Sequence, residues 1–178
     1  TWAWGDNLFW GYGGKYHKED VRDAFQVSLD HQICFFDTAE VFGQGRSERL
    51  LGEFIATHEP AVLVATKFMP FPWRLTRGRL LHALQKSLER LGLESVDLYQ
   101  MHQPLPPVRI ETWMEAMAEA HQQGLTRAIG VSNYDRNQTQ EAYDALNRSG
   151  IRLASNQVEY SLLQRRIVRV AVDIDEED

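Results

Sequence analysis

Three apolar stretches of the sequence each end in one reactive polar residue: Phe35-Phe36-Asp37, Val64-Ala65-Thr66-Lys67 and Leu98-Tyr99-Gln100-Met101-His102. Short apolar runs of this length predict buried strands. A carboxylate, an amine and an imidazole therefore lie at the C-terminal ends of three successive predicted strands. In a barrel built from strand–helix–strand units, catalytic groups gather at that face. The three stretches thus predict a reactive site as well as a sheet.

Amphipathic helical patterns separate these strands along the chain. The spacing of apolar residues predicts helices over 18–31, 47–57, 76–91, 109–123 and 135–148, and strands over 32–38, 62–66, 96–101, 126–131 and 151–160. Ser47 is the expected N-cap of the second helix, and Thr1–Trp4 is expected to be the stub of a first strand. Six apolar strands that alternate with helices predict a parallel sheet covered by helices.

Two architectures fit this alternation, an open doubly wound sheet and a closed (β/α)8 barrel. Gly11, Gly13 and Gly14 precede the first helix and match neither the spacing nor the context of a dinucleotide-binding G-x-G-x-x-G turn. Reactive residues at the ends of several different strands favour the barrel. The expected fold class is therefore α/β, of (β/α)8 TIM-barrel type, with about six of the eight strand–helix units present.

The composition restricts the partners and the location. A net charge of -6 over 178 residues argues against nucleic acid as a partner, because phosphate binding needs a basic surface. No run of about 18 apolar residues exists, so membrane insertion is not expected. Cys34, the single cysteine, excludes an intramolecular disulfide and is expected in the core because it lies in an apolar run. The sequence begins at Thr1 rather than Met, so the cytoplasm is only the default location and an organelle stays open.

Asp37, Lys67 and His102 suit the reduction of a carbonyl group. A buried lysine needs a carboxylate partner to stay charged, and an imidazole can orient a carbonyl by hydrogen bonding. The same residues allow a plainer interpretation, in which Asp37 and Lys67 form an ion pair that only joins two strands and His102 is a core histidine. No set of residues with the spacing of metal ligands stands out, so no metal site is expected.

A second polar group follows the later strands. Ser132 and Asn133 come after the fifth predicted strand, and Gln157 lies near the end of the sixth. Their amide and hydroxyl groups offer hydrogen bonds at the same face and could hold the carboxamide of a nicotinamide ring. The alternative is that Ser132 and Asn133 are an N-cap pair for the next helix.

Several motifs together resemble the aldo-keto reductase family over residues 1–165. They are Asp37-Thr38-Ala39-Glu40-Val41, Gly43-x-Gly45-x-Ser47-Glu48-x-x-Leu51-Gly52, Thr66-Lys67, Asp97-Leu98-Tyr99-Gln100-Met101-His102, Gly130-Val131-Ser132-Asn133 and Asn156-Gln157-Val158-Glu159-Tyr160. The resemblance implies a (β/α)8 barrel that uses NADP(H) to reduce a small aldehyde or ketone by hydride transfer. It places a partial barrel domain at 1–165 and a divergent acidic tail at 166–178.

The resemblance also implies a role for each candidate site residue. Asp37 would support Lys67, Lys67 would tune a phenol, and His102 would orient the carbonyl. Trp2 would line the substrate pocket. The residues that would hold the nicotinamide carboxamide are Ser132, Asn133 and Gln157.

The sequence departs from the family pattern at one reactive position. Phe42 stands where the family has its proton-donating tyrosine, and a phenylalanine ring has no proton to give. Tyr12 or Tyr16, in the loop before the first helix, would be the substitutes. The departure predicts weak or no reduction, since loss of a general acid typically costs about 10²–10⁴-fold.

The family pattern also stops after Arg165, which is the second departure. A sheet of six strands would have two open edges, and these predict a partner or self-association there. A non-catalytic module that binds cofactor or protein, and an inactive fragment, are therefore the alternatives to a reductase.

Overall fold

The computed structural model describes residues 1–58, 62–161 and Leu163. Within them, one parallel sheet contains five strands in chain order, which are β1 (Phe35–Asp37), β2 (Leu63–Phe68), β3 (Val96–Met101), β4 (Thr126–Ser132) and β5 (Leu153–Gln157). The α-helices of the same part of the chain are α1 (Lys18–Asp30), α2 (Arg46–Ile55), α3 (Arg77–Leu91), α4 (Ile110–Gln122) and α5 (Arg136–Asn147). A short 3₁₀ helix, Phe42–Gly45, precedes α2. The sheet curls into half of a barrel, so the predicted fold class is confirmed.

Regular apolar stripes explain why the helices pack on the sheet. In α3 the buried side chains of Leu80, Leu84, Leu88 and Leu91 recur at helical spacing. Gly92 then adopts a φ of +67° and ends this helix, as a glycine after the last turn commonly does. The stripe therefore faces the sheet, and the polar face of the helix stays in solvent.

The strand register brings the reactive ends of the strands to one level. Lys67 pairs with Gln100 across β2 and β3, and Gln100 pairs with Gly130 across β3 and β4. Gly130 in turn lies opposite Ser155. A side chain on Gly130 would overlap the Ser155 hydroxyl, so this glycine leaves room for a polar row across the sheet.

Two sequence predictions about the N-terminal region are wrong. Thr1–Trp4 is a turn closed by a 2.9 Å hydrogen bond from the Trp4 amide to the Thr1 carbonyl, so the described sheet has five strands and not six. Ser47 does not cap α2, because Gly45 in the left-handed conformation is the N-cap. The Ser47 hydroxyl instead hydrogen-bonds the hydroxyls of Thr1 and Thr38.

The prediction that Cys34 lies in the core is also wrong, since it is exposed. It directly precedes β1, which pairs on one side only within the described chain. Its neighbours Ile33 and Phe35 are exposed for the same reason. An apolar run thus predicted the strand correctly but not the lack of a neighbour on its other side.

The predicted acidic tail over 166–178 lies outside the described residues, so the domain boundary stays a prediction. Among the residues that are described, no helix is long and apolar enough to cross a membrane.

Candidate active site

Asp37 and Lys67 form an ion pair between the ends of β1 and β2. The Lys67 ammonium lies 2.5 Å from Asp37 Oδ1 and also donates to the Thr38 carbonyl at 3.0 Å. The lysine is almost fully buried, whereas the Asp37 side chain is partly exposed. The Lys67 ammonium is therefore enclosed by protein, whereas the Asp37 carboxylate is partly accessible at the C-terminal end of the sheet.

Burial decides the direction in which the pKa of Lys67 moves. Desolvation lowers the pKa of the ammonium, while the charge of Asp37 and its hydrogen bond act in the opposite direction. The net effect is a lowered pKa, and the carboxylate limits the loss of the charged form.

His102 lies directly after β3, beside the end of β2. Its backbone amide donates to the Phe68 carbonyl at 2.9 Å, which continues the ladder and fixes the position of the ring. Its Nδ1 is buried without a hydrogen-bond partner. Desolvation, reinforced by the charge of Lys67 and opposed by Asp37, lowers the pKa of His102 to about 4. The imidazole is therefore neutral at pH 7.

Phe42 stands between these two groups. Its ring centroid is 5.3 Å from the Lys67 ammonium and 5.7 Å from the His102 ring, to which it is nearly perpendicular. The ammonium over the ring face is a cation–π contact. The phenylalanine ring therefore contacts both groups but has no hydroxyl to donate a proton.

Tyr12 and Tyr16, the candidate substitutes for the missing phenol, make contacts away from Lys67 and His102. Tyr16 donates its hydroxyl to the Ala3 carbonyl and packs edge-on against Tyr12. Desolvation is also the largest of the effects that raise the pKa of Tyr16, which makes it a poorer proton donor. Neither tyrosine replaces Phe42 in its contacts with Lys67 and His102.

Trp2 contributes an aromatic wall at the open side of the site. Its ring is 6.4 Å from that of Phe42 and 5.4 Å from that of Trp10, and it remains 62% exposed. Trp4, by contrast, packs into the core against Phe25 and other rings. Trp2 and Trp10 thus form an accessible surface of two indoles beside Phe42.

Ser132, Asn133 and Gln157, the second polar group, lie together in the structure. Ser132 Oγ donates to the backbone carbonyl of Gln157 at 2.8 Å, and the backbone N–H of Asn133 donates to the same carbonyl at 2.9 Å. Asn133 Nδ2 donates to the His102 carbonyl at 3.0 Å, which joins this group to the first. Asp135, not Ser132 or Asn133, is the N-cap of α5, so the capping alternative is wrong.

Gln100 is a member of the site that the sequence interpretation missed. Its buried amide donates to Gln157 Oε1 at 3.3 Å and lies 3.5 Å from Asp37 Oδ1. Gln157 Nε2 donates to Asp37 Oδ2 at 3.3 Å, and Ser155 donates to Gln100 Oε1 at 3.2 Å. The signal available in the sequence was a glutamine inside an otherwise apolar strand, since buried polar groups need partners.

A second ion pair, between Glu40 and Arg74, joins the loops that follow β1 and β2 beside the site. Arg74 makes two hydrogen bonds to the Glu40 carboxylate, at 2.7 and 3.0 Å, and the Met69 amide donates to Glu40 at 2.8 Å. The Arg74 guanidinium also lies 4.4 Å from the Phe68 ring centroid. The loops after β1 and β2 are therefore held together, which fixes the rim next to Phe42.

A family model, described as the aldo/keto reductase family, matches residues 1–174. The chain belongs to this family. The aldo/keto reductases are oxidoreductases, and the chain is 39% identical over 176 residues to a chloroplastic pyridoxal reductase of Arabidopsis thaliana, covering 92% of this chain and 48% of that one. It is 32% identical over 170 residues to an L-glyceraldehyde 3-phosphate reductase of Escherichia coli O157:H7, covering 89% and 49%.

A solved structure gives the same picture. An aldo-keto reductase from Klebsiella pneumoniae, crystallised with NADPH, superposes with a TM-score of 0.75 at 29% identity, covering 88% of this chain and 54% of that one. This chain therefore spans about half the length of the aldo/keto reductases it matches.

Proposed function

We propose that this chain carries the carbonyl-binding and nicotinamide-binding site of an NADPH-dependent aldo/keto reductase that acts on a small aldehyde or ketone. The observation that supports the proposal is the ion pair of Asp37 and Lys67 at the C-terminal end of a parallel sheet, with the rings of Phe42 and His102 beside it.

Each residue has a distinct action on a bound carbonyl. Lys67, held by Asp37, puts a positive charge near the oxygen on which negative charge develops. His102 can donate one hydrogen bond to that oxygen while neutral. Phe42 keeps the ring of a tyrosine but cannot protonate the oxygen, so reduction of an ordinary aldehyde is about 10²–10⁴-fold slower than with a phenol.

The second polar group fits a nicotinamide carboxamide. Asn133 uses its Nδ2 group in the hydrogen bonds to His102 and Ser132, which leaves its Oδ1 to accept from a carboxamide N–H. Ser132 and Gln157 add a hydroxyl and a second amide at the same place. When bound, a reduced nicotinamide would supply the hydride, and the NADPH complex of the Klebsiella relative supports this cofactor.

Binding of NADPH to the purified chain is the first test. The expected result of a fluorescence titration, on material that elutes as one species in size exclusion, is saturable binding. Phe42→Tyr should then raise turnover of an aldehyde by about 10²–10⁴-fold. Phe9→Tyr is the matched control, because it adds the same hydroxyl to a ring that is 84% exposed, and it should leave turnover unchanged.

The results also separate the proposal from its main competitor. A non-catalytic module that binds cofactor, which the loss of the phenol at Phe42 favours, would bind NADPH but gain no turnover from Phe42→Tyr. Folded protein that binds no NADPH would contradict both the reductase and the cofactor-binding module, and would support a protein-binding module or an inactive fragment. Location is a separate question: cytoplasm stays a prediction, and the Arabidopsis relative is named as chloroplastic.

A further inference from the structure

We propose that Gln100 is a positioning residue for cofactor binding, because it sets the direction in which the side-chain amide of Gln157 faces a bound nicotinamide. The inference rests on the proposed function, in which Gln157 helps to hold the carboxamide of that ring. Gln100 lies in β3 and is only 2% exposed. Its action on the cofactor therefore passes through another side chain.

The backbone of Gln157 is fixed separately from its side chain. The Ser132 hydroxyl and the Asn133 backbone N–H both donate to the backbone carbonyl of Gln157, which fixes the end of β5. The side chain of this residue is exposed, and a glutamine side chain loses much conformational freedom when it is held in one rotamer. The direction of the Gln157 amide therefore depends on the contacts that the amide itself makes.

Two contacts determine how the Gln157 amide points. Its Nε2 donates to Asp37 Oδ2 at 3.3 Å, and its Oε1 accepts from Gln100 Nε2 at 3.3 Å. Asp37 is paired with Lys67, and an ionised carboxylate can only accept hydrogen bonds. The N–H side of the Gln157 amide therefore faces Asp37, and its oxygen faces Gln100.

The direction of the Gln100 amide is fixed in the same way. Its Oε1 accepts from Ser155 Oγ at 3.2 Å, and its Nε2 lies 3.5 Å from Asp37 Oδ1. A reversed amide would place the oxygen against two acceptors, the Asp37 carboxylate and the Gln157 oxygen. Gly130 leaves room for this arrangement, because a Cβ there would overlap the Ser155 hydroxyl and crowd Gln100 Cγ.

The hydrogen bonds therefore form a row with one direction, which begins at Ser155 and ends at Asp37. Hydrogen bonds in such a chain polarise one another. An amide has two N–H donors and an oxygen with two lone pairs, and the row uses one of each at Gln157. The remaining N–H and lone pair suit the oxygen and the amino group of a carboxamide. Without Gln100, the Gln157 oxygen loses the partner that orients it.

A double-mutant cycle on NADPH affinity tests the inference. Gln100→Met keeps the length of the side chain and removes its amide, and Gln157→Ala removes the group that Gln100 orients. Gln100→Met alone should raise the Kd for NADPH by about 2- to 10-fold, which corresponds to one net hydrogen bond. In the Gln157→Ala background the same substitution should raise the Kd by less than about twofold, because no amide is left to orient.

The double-mutant cycle also separates positioning from a merely structural role. A structural loss at Gln100 would raise the Kd by the same factor in both backgrounds. Gln123→Met is the matched control, since the exposed Gln123 amide bonds Glu119 of its own segment, and it should leave the Kd unchanged. Urea unfolding of each variant shows whether the fold is retained.

Ser155→Ala is a second variant that leaves the buried amide in place. It removes the donor to Gln100 Oε1 at a residue that is only partly buried, so the fold should tolerate it. The Kd for NADPH should rise in the same direction as in Gln100→Met, by a smaller factor, and not in the Gln157→Ala background. If Gln100→Met unfolds the protein, this variant decides the inference.

The outcomes distinguish this inference from the proposed function. An effect of Gln100→Met that is equal in both backgrounds, or absent from both, overturns the inference and leaves the proposed function standing. An unchanged Kd in Gln157→Ala overturns the assignment of Gln157 to the carboxamide, and the inference with it. Folded wild-type protein that binds no NADPH overturns the proposed function as well.

Discussion

Burial and two neighbours of opposite charge together set the pKa of the His102 imidazole. Desolvation and Lys67 lower the pKa of the imidazole, and Asp37 raises it, with a result of about 4. An unfolded chain has no such environment, and there the pKa of a histidine returns to about 6.5. The folded protein therefore binds the proton on His102 only at a lower pH than the unfolded chain does.

This difference predicts an acid-sensitive stability. Below pH 6.5 the His102 imidazole is protonated in the unfolded chain but still neutral in the folded protein. The free energy of unfolding should therefore fall as the pH drops from about 6.5 to about 4. The free energy of unfolding that is lost through His102 over this pH range is at most about 3 kcal/mol. Above pH 6.5 none of it is lost. Urea unfolding at several pH values measures it.

His102→Gln is the matched control for this pH dependence. Glutamine does not titrate, so the variant should show a shallower decline over the same pH range. An identical pH profile for the two proteins would mean that His102 is not the group responsible. A titration of His102 by NMR, with a midpoint near 6.5, would contradict the prediction directly.

The positions of Asp37, Lys67 and His102 at the ends of strands could be predicted from the sequence, because each closes an apolar run. Asp37 ends β1, Lys67 is the second-last residue of β2 and His102 directly follows β3, so the local pattern fixes their level in the sheet. Gln100 could not be placed in the same way. Its partners lie on β1 and β5, 63 and 57 residues away, and no local pattern in the chain reports such distant contacts.

Glu48 shows how a charged side chain ties three elements together. It lies on α2 and is fully buried, accepts from the Thr66 hydroxyl of β2 at 2.6 Å, and pairs with Arg90 of α3 at 2.5 Å. A helix stripe suggests that a glutamate is on the surface, so this buried position was not predictable from periodicity. The residue instead fixes the end of β2 immediately before Lys67.

Glu48→Gln should therefore destabilise the fold strongly. Breaking a buried ion pair leaves an uncompensated charge, and the partial exposure of Arg90 puts the expected loss at the low end, about 3 kcal/mol. Glu53→Gln, in the same helix, removes the exposed ion pair with Lys18 and should cost less than about 1 kcal/mol. Equal losses for the two variants in urea denaturation would mean that burial of Glu48 adds nothing to its ion pair.

Gly52 marks where α2 and α3 come closest. A Cβ at this position would overlap the backbone carbonyl of Leu91, which cannot move like a side chain. Gly52→Ala should therefore lower the free energy of unfolding by about 1–3 kcal/mol, despite the better helix propensity of alanine. Gly78, in α3, has open space where a Cβ would lie, and Gly78→Ala should instead stabilise by about 0.5–1 kcal/mol.

The two glycine variants are compared by their urea midpoints at constant slope. A stabilised Gly52→Ala would mean that the two helices separate easily and that the close approach is unimportant.

The contact at Gly52 also shows which properties of the helices and strands the sequence can predict. Apolar stripes predicted α3 and β3 to within a residue, but the depth at which α2 meets α3 depends on a glycine whose partner lies in another helix.

At the scale of the whole molecule, the described sheet ends in two unlike edges. β1 pairs with β2 alone, and β5 pairs with β4 alone. Near β1, Ile33, Phe35 and Leu63 are 56%, 50% and 41% exposed. Unpaired backbone groups beside apolar side chains favour association with another chain. Because all strands are parallel, the β5 edge of a second copy can continue the sheet from β1 without reversing its direction.

We therefore expect the purified chain to self-associate through β1. Its mass from light scattering should rise with concentration, and Phe35→Lys should shift it toward the monomer, because a charge on an edge strand opposes pairing. Val27→Lys adds the same charge to an exposed apolar position of α1 and should leave association unchanged. If the mass stayed monomeric at all concentrations, β1 would not be an association edge. If Phe35→Lys and Val27→Lys lowered the mass equally, the change would come from net charge, since only Phe35→Lys alters the edge of the sheet.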